Sequence, residues 1–539
     1  MSVAVQVPVR AFQMLPIELV LKIFHMATFD GPDYNVPLAL SHVSRDCRSI
    51  VSSEARLWTN IRVNNQSAVG HPRRVGANPQ DVFPALSVYL RNSGQLPFNL
   101  SIGYAGLPRY ERYPDLGDFI EPRTDGFTLS HATHLGNILA AHVHRLQSLT
   151  VRTRSWEIYT LIVNQWVGLR LPLVESWSVE YGNVQDIGLF HVYADMFKVD
   201  VEQSENILTN CGDACSPDEL ASIGRHYFPQ LKRLRLWATP HQWTFSTRNL
   251  VELVLQNIPD FYRANDDLLR VILANSQHTL QILELNGVLH TSVGLPSARL
   301  PLPAVHTLRI GFGYIEEFST ILRIAEFPAL TNLRLKHLED CLNEDTQHQE
   351  EMADIFDALV DELPLHQLTA LYIEAVSFPR ENLHRTVAWE AIRNSKVPQD
   401  EYPDPMRFIS QLNALQSLTL VRPDPMFLQS MNYSPPRSTL FLPSLRKLRF
   451  ETSIPTEYSY IVEYWRCRMR VLMHASGGRY LGPGLERLEL LLPDTVDKVG
   501  LARWIHNRRP YAESMVVNFQ PEYFPFVLAE DEGDFMAVD

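Results

Sequence analysis

The sequence predicts an α/β fold in which short parallel strands alternate with helices along a repeat array. Three observations carry this. A unit of the form Leu-x-x-Leu-x-apolar recurs along most of the 539 residues. Helical patterns lie between copies, as in DDLLRVILANSQ (266–277) and EEMADIFDALVDEL (350–363). Apolar-Pro dipeptides precede several copies, where proline disfavours helix for the residue before it and marks the hand-over to a strand.

The chain opens on MSVAVQVPVR, which has no basic segment followed by an uninterrupted apolar core, so residues 1–10 read as a disordered start and not a secretory signal. Residues 15–58 then hold short amphipathic helical patterns that end on Arg-Leu-Trp. Pro16 suits a first helical turn, because it lacks an N–H that the turn would leave unpaired. Glu18 follows where the helix dipole favours an anion. Leu15, Leu19, Ile23 and Phe24 fall on one face at helical spacing, and Ile17, Val20 and Leu21 widen it beyond a normal stripe. Such a helix has two faces to bury. One packs on its own domain; the other needs a partner.

These residues, Leu15, Pro16, Glu18, Leu19, Ile23 and Phe24, then Val43, Ser44, Arg45 and Arg48, then Leu57 and Trp58, resemble the F-box. The stretch from Leu38 to Ile61 is similar to the F-box proteins abundant in mushroom-forming fungi. One departure is Cys47, which stands where that family usually has Trp. The resemblance covers about a tenth of the chain, far less than a whole globular domain. It implies a three-helix F-box over 11–58. It also implies that Leu15, Pro16, Ile17, Leu19, Ile23, Phe24 and Val43 pack against the Skp-type linker subunit of a cullin ubiquitin ligase. LWTNIRV (57–63) is expected to leave this region directly as a first strand.

The repeat follows. The strict form occurs as LQSLTV (146–151), LKRLRL (231–236), LVELVL (250–255), LQILEL (280–285), LTNLRL (330–335), LTALYI (368–373), LQSLTL (415–420), LRKLRF (445–450) and LERLEL (485–490), with looser copies VESWSV (174–179) and VHTLRI (305–310). The leucine content would give about three strict copies by chance, so nine is a real excess. Phe228-Pro229, Leu302-Pro303, Phe327-Pro328 and Leu442-Pro443 precede four of them. The rhythm is that of an irregular leucine-rich-repeat solenoid with a parallel sheet on its concave face, expected over 59–526; an all-helical solenoid is the other arrangement weighed. F-box proteins with irregular leucine-rich repeats are similar in layout. Residues 64–80 and 105–128 read as loops, and 527–539 as an acidic disordered tail.

Composition narrows the function. At 45 % apolar and 20 % charged residues, the chain has ordinary globular make-up. A net charge of -13 argues against nucleic acid as a partner. Five cysteines do not make a disulfide framework, and no run approaches the roughly 18 apolar residues of a membrane span. Cytoplasm or nucleus is the expected compartment. Common hydrolase, nucleotide and zinc-protease motifs are absent, so no catalytic residue, cofactor or metal is expected. Cys211, Cys215 and His226 lack a further ligand pair nearby, and His131, His134, His142 and His144 read as solvated or capping side chains. Arg466, Arg468 and Arg470 read as the solvated flank of a helix. The resemblance implies a non-catalytic adaptor that holds a protein target.

Strand alternation buries the second leucine and the last apolar residue of each unit and turns the residue between them outward. Those outward residues are Arg235, Val254, Glu284, Arg309, Arg334, Tyr372, Thr419, Arg449 and Glu489. Of these, Arg235, Arg309, Arg334, Tyr372 and Arg449 are candidate target contacts. A parallel ladder would set Arg309 and Arg334 side by side, roughly 5 Å apart. Either Glu284 neutralises Arg309 while Arg334 stacks on Tyr372, or the pair awaits a carboxylate or phosphate.

Overall fold

The structure is a computed structural model. It describes residues 15–29, 36–64, 67, 82–103, 128–153, 156–166, 169–181, 228–237, 248–258, 263, 266–289, 298–338, 358–376, 404–424, 427, 428, 431, 442–452, 461, 464, 485–493 and 512–520. The chain divides into two compact units, Met1–Leu280 and Gln281–Asp539. Both are α/β, and both are built on a parallel sheet.

The first unit starts with α1 (Ile17–Phe29), α2 (Val36–Val43), α3 (Arg45–Ser53) and a 3-10 turn, Ala55–Trp58. Ser44 caps α3: its hydroxyl accepts from the Cys47 N–H at 3.0 Å, satisfying one of the free amides of the first turn. Arg48 ties α3 to α2 through a 2.8 Å bond to the Ser41 carbonyl. Trp58 is buried and donates Nε1–H to the Val51 carbonyl at 2.8 Å, with its ring edge-on to Tyr89. Burial pushes the Tyr89 phenol up to about 12. Cys47, at the position that departs from the F-box pattern, is buried.

The strand β1 (Asn60–Asn64) follows the turn directly. Next come α4 (Pro84–Asn92), β2 (Phe98–Gly103), α5 (Leu129–Ala140), β3 (Leu146–Thr153), α6 (Trp156–Asn164), β4 (Ser176–Tyr181), β5 (Arg233–Trp237), β6 (Glu252–Gln256) and α7 (Asp266–Asn275). β1 to β6 pair in chain order, all parallel. The second unit holds β7 (Ile282–Asn286), β8 (Leu300–Pro301), β9 (Thr307–Phe312), α8 (Ile315–Ile324), β10 (Ala325–Glu326), β11 (Asn332–His337), β12 (Ala370–Glu374), α9 (Asp404–Gln411), β13 (Ser417–Val421), β14 (Lys447–Glu451), β15 (Leu485–Pro493) and β16 (Ala512–Gln520). Its main sheet runs β7, β9, β11 and then β12 to β16, again parallel and in chain order. β8 and β10 form a separate short parallel ladder. Parallel strands in chain order exclude the all-helical arrangement. Of the 350–363 helical pattern, the described part is helical over 358–362.

Every Leu-x-x-Leu-x-apolar copy sits the same way. Its three apolar residues are buried, as in Leu330, Leu333 and Leu335 or Leu415, Leu418 and Leu420. The apolar-Pro dipeptides are turns: the carbonyls of Phe228, Leu302, Phe327 and Leu442 accept the N–H three residues on, with proline second in the turn. The residue after the first leucine then offers one carbonyl to two successive amides of the next unit. Gln281 accepts from His306 and Thr307, His306 from Thr331 and Asn332, and Thr331 from Thr369 and Ala370. Besides β1, which is expected on other grounds, and the two-residue strands β8 and β10, the described strands β2 (FNLSIG) and β16 (AESMVVNFQ) fall outside the leucine pattern, because neither carries the paired leucines.

Helices α5 and α6 meet closely at Gly136, whose carbonyl takes the Trp166 indole N–H at 3.1 Å. A Cβ there would stand 2.8 Å from the Ile162 carbonyl and 2.7 Å from Gln165 Cγ. Gly136→Ala should therefore destabilise the first unit by about 1–3 kcal/mol through overpacking, despite about 1 kcal/mol gained in helix propensity. A lower thermal midpoint checks this; an unchanged or higher one would show that the helices can part without cost.

Candidate functional site

Two surfaces stand out, one in each unit. The first is α1. Only Val20 and Phe24 on this helix are fully buried, one turn apart. Leu15, just before the helix, and Leu19, Ile23 and Met26, at helical spacing along the flank beside that pair, are exposed, Leu19 by 47 % and Ile23 by 42 %. Ile17 and Phe29 are exposed as well, and Phe29 stacks on His25 one turn before it. The helix start is held by the Pro16 carbonyl, which accepts the amides of Leu19 and Val20; Pro16 itself is exposed. Val43, at the end of α2, is 67 % exposed. Of the seven residues singled out in this region, Phe24 alone is buried, at 1 %, so its ring anchors the helix and does not face solvent. Met26 and Phe29 were not singled out, although the three- and four-residue spacing that links Leu19 to Ile23 continues through both.

The second surface is the polar side of the β7–β15 ladder. The register sets Glu284, Arg309, Arg334, Tyr372, Thr419, Arg449 and Glu489 in one row. Arg309 donates to Glu284 at 2.7 Å. Arg334 lies over the Tyr372 ring, 4.2 Å from its centroid, and donates to Glu374 at 3.3 Å. The Tyr372 hydroxyl donates to the same carboxylate at 2.7 Å, and Lys336 reaches it at 3.2 Å. Arg449 donates to Glu451 at 3.2 Å. In the first unit, Arg235 donates two N–H groups to one oxygen of Glu252. Two of the residues read as outward are covered: Val254 is buried, and Glu284 lies beneath Arg309 with the Asn286 amide also bonded to it.

Electrostatics follow from this packing. Burial alone would raise the Glu374 carboxyl, but the Lys336 charge, hydrogen bonds from Tyr372 and Lys336, and the Arg334 charge together hold it below the usual carboxylate range. Burial, the Glu374 charge and its hydrogen bond push the Tyr372 phenol far up, against the opposing pull of Arg334, so it remains a donor at any physiological pH.

Elsewhere, His131 caps α5: its ring Nδ1 accepts from the Thr128 amide, while the Thr128 hydroxyl accepts from the His131 amide. Among the described residues, no three His, Cys, Asp or Glu side chains gather where a metal could be held. Nor is any described helix long and apolar enough to cross a membrane. Cys211, Cys215, His226, Arg466, Arg468, Arg470, the expected loops (apart from a few residues at their ends) and both expected disordered ends lie outside the described residues. No protein-family model matches the chain, and no curated protein does.

The lowered Glu374 carboxyl carries a pH signature. A depressed folded value adds stability above the unfolded carboxylate value of about 4.3, and that stability is lost as pH falls through the folded value. Wild-type protein should therefore melt above Glu374→Gln at pH 7, with the gap closing as the medium is acidified below about pH 4. A gap that is independent of pH would show that the carboxylate charge is not what the site uses.

Proposed function

We propose that this chain is a substrate-recognition adaptor of a Skp–cullin–F-box ubiquitin ligase, with α1 docking on the linker subunit and the repeat array holding a protein target. The observation that carries this reading is the second apolar stripe of α1. Leu15, Leu19, Ile23 and Met26 stay in solvent although Val20 and Phe24 already anchor the helix. A contiguous exposed apolar row on a short helix is the physical mark of a helix that packs against a partner. It coincides with the residues that resemble the F-box, and Val43 adds to it. In this reading Phe24 positions α1 from within, while Leu15, Pro16, Ile17, Leu19 and Ile23 make the contact. The strands that carry the paired leucines are then the leucine-rich repeats, and the polar side of their ladder in the second unit is the target surface.

The mechanism needs no catalytic group on this chain. An adaptor raises the effective concentration of its target beside the ubiquitin-loaded enzyme. A few buried anchors supply most of the energy of such an interface, and removing one typically costs about 2 kcal/mol or more. Leu19→Asp with Ile23→Asp should therefore abolish co-purification of the Skp-type linker while leaving the melting midpoint near that of wild type, since both side chains are exposed. Phe24→Ala should instead lower the midpoint. Undiminished linker capture by the double Asp variant would sink the adaptor reading and leave a repeat scaffold whose N-terminal helices only cap the array.

A further inference from the structure

The apolar row on α1 is chemically uneven. Leu15, Leu19 and Ile23 are hydrocarbons, inert to mild oxidants, whereas Met26 carries a thioether. Met26 follows Ile23 by three residues, on the same flank of the helix, and is 55 % exposed, more than Leu19 or Ile23. Val20 and Phe24, which seat the helix, are buried on a different stripe. A chemical change at the Met26 sulfur is therefore felt at the docking face and not in the core.

Two comparisons single this residue out. Of the two methionines whose side chains are described, Met431 is 3 % exposed and shielded from oxidants in solvent, while Met26 is open to them. Cys47, the one cysteine among the described residues, is buried. Among the described residues of the N-terminal helices, the sulfur presented to solvent is thus a thioether and not a thiol. Hydrogen peroxide oxidises such a group without help from a catalytic residue. The sulfur lone pair attacks one peroxide oxygen, and the O–O bond breaks as an S–O bond forms. After proton transfer the second oxygen leaves as water, so sulfur loses two electrons and peroxide gains them. The product, a sulfoxide, is polar and chiral where the thioether was apolar and flexible.

We propose that Met26 is a redox switch on α1: peroxide oxidation to the sulfoxide releases the linker subunit, and reduction back to the thioether restores docking. This rests on the adaptor reading, because it regulates the same contact. Docking against an apolar partner surface takes the sulfoxide oxygen out of water. The row itself offers that oxygen no donor, since Leu15, Leu19 and Ile23 are hydrocarbon throughout. An acceptor buried without a partner weakens an interface by about tenfold or more. In the free chain the same oxygen stays in water, so folding bears no such cost. A large effect on docking with little effect on folding is what separates a switch from oxidative damage.

The test uses the full chain, a purified Skp-type linker subunit and hydrogen peroxide, with the sulfoxide fraction at Met26 followed by peptide mass spectrometry. Linker affinity of the wild type should fall by about tenfold as that oxidation nears completion, while the melting midpoint holds. Methionine sulfoxide reductases for both epimers, supplied with a thiol reductant, should restore it. Met26→Gln, polar and of similar length, should bind weakly before any treatment. Met26→Leu, compared with its own untreated sample, should not respond to peroxide. Unchanged affinity with Met26 oxidised, an equal fall in Met26→Leu, a loss that the reductases do not reverse, or wild-type affinity in Met26→Gln would each overturn the switch. No linker binding by the untreated wild type would overturn the adaptor reading itself, and the switch with it.

Discussion

Each repeating unit must bury three apolar side chains on one side of a parallel ladder, and the rest of the structure is arranged around that requirement. The first leucine closes the turn before the strand, and the second leucine and the last apolar residue point into the core from the strand itself. A slip of one residue would carry the latter two to the solvent side of every strand at once, so register is strongly specified. The shared carbonyl at the start of each strand locks the same register through the backbone: Thr369 takes both Gln416 and Ser417, and Gln416 takes both Arg446 and Lys447. Because the lock is local to each junction, the chain between units can vary in length. Strict copies begin 19 residues apart at 231 and 250, and 47 apart at 368 and 415. Lengthening a connection costs little, since closure entropy rises only with the logarithm of loop length.

The same constraint creates the polar face. Residues that cannot point into the core are forced into rows on the other side, whatever their charge. On that face the shorter glutamates sink against the sheet while the longer arginine stems reach over them, which keeps the guanidinium groups wet and satisfies both. The repulsion expected between Arg309 and Arg334 is thereby absorbed by Glu284 on one side and by Tyr372 and Glu374 on the other. Of the two arrangements read from the sequence, the structure holds the first: Glu284 neutralises Arg309, and Arg334 stacks on Tyr372.

Helix α1 shows the opposite logic. Its core contribution is narrow, two side chains, yet its apolar face is wide, interrupted only on the side of Glu18, Lys22 and His25. The buried pair, Ser44 capping of the next helix, the Arg48 tie and Trp58 hold the N-terminal helices without calling on the second stripe. Leu15, Leu19, Ile23 and Met26 stay exposed, and among the described residues these ties are enough to seat the helix.

The sequence by itself determined the α/β class, the parallel sheet, the position of most strands and the identity of the buried leucines. These depend on period and on proline, which act over a few residues. It also placed Arg309 beside Arg334 and Tyr372, because one register rule holds along the ladder. It did not reveal β2 and β16, whose apolar residues lack the paired leucines and are defined as strands by their ladder partners, β1 and β3 for β2 and β15 for β16. Nor did it show that Phe24 turns inward while Met26 and Phe29 turn outward, since a helix with so wide an apolar face carries no mark of which stripe its neighbours will take. Which carboxylate sinks beneath which arginine was likewise settled only in the folded chain, where side-chain length, the depth of the sheet face and the reach across neighbouring strands are fixed together.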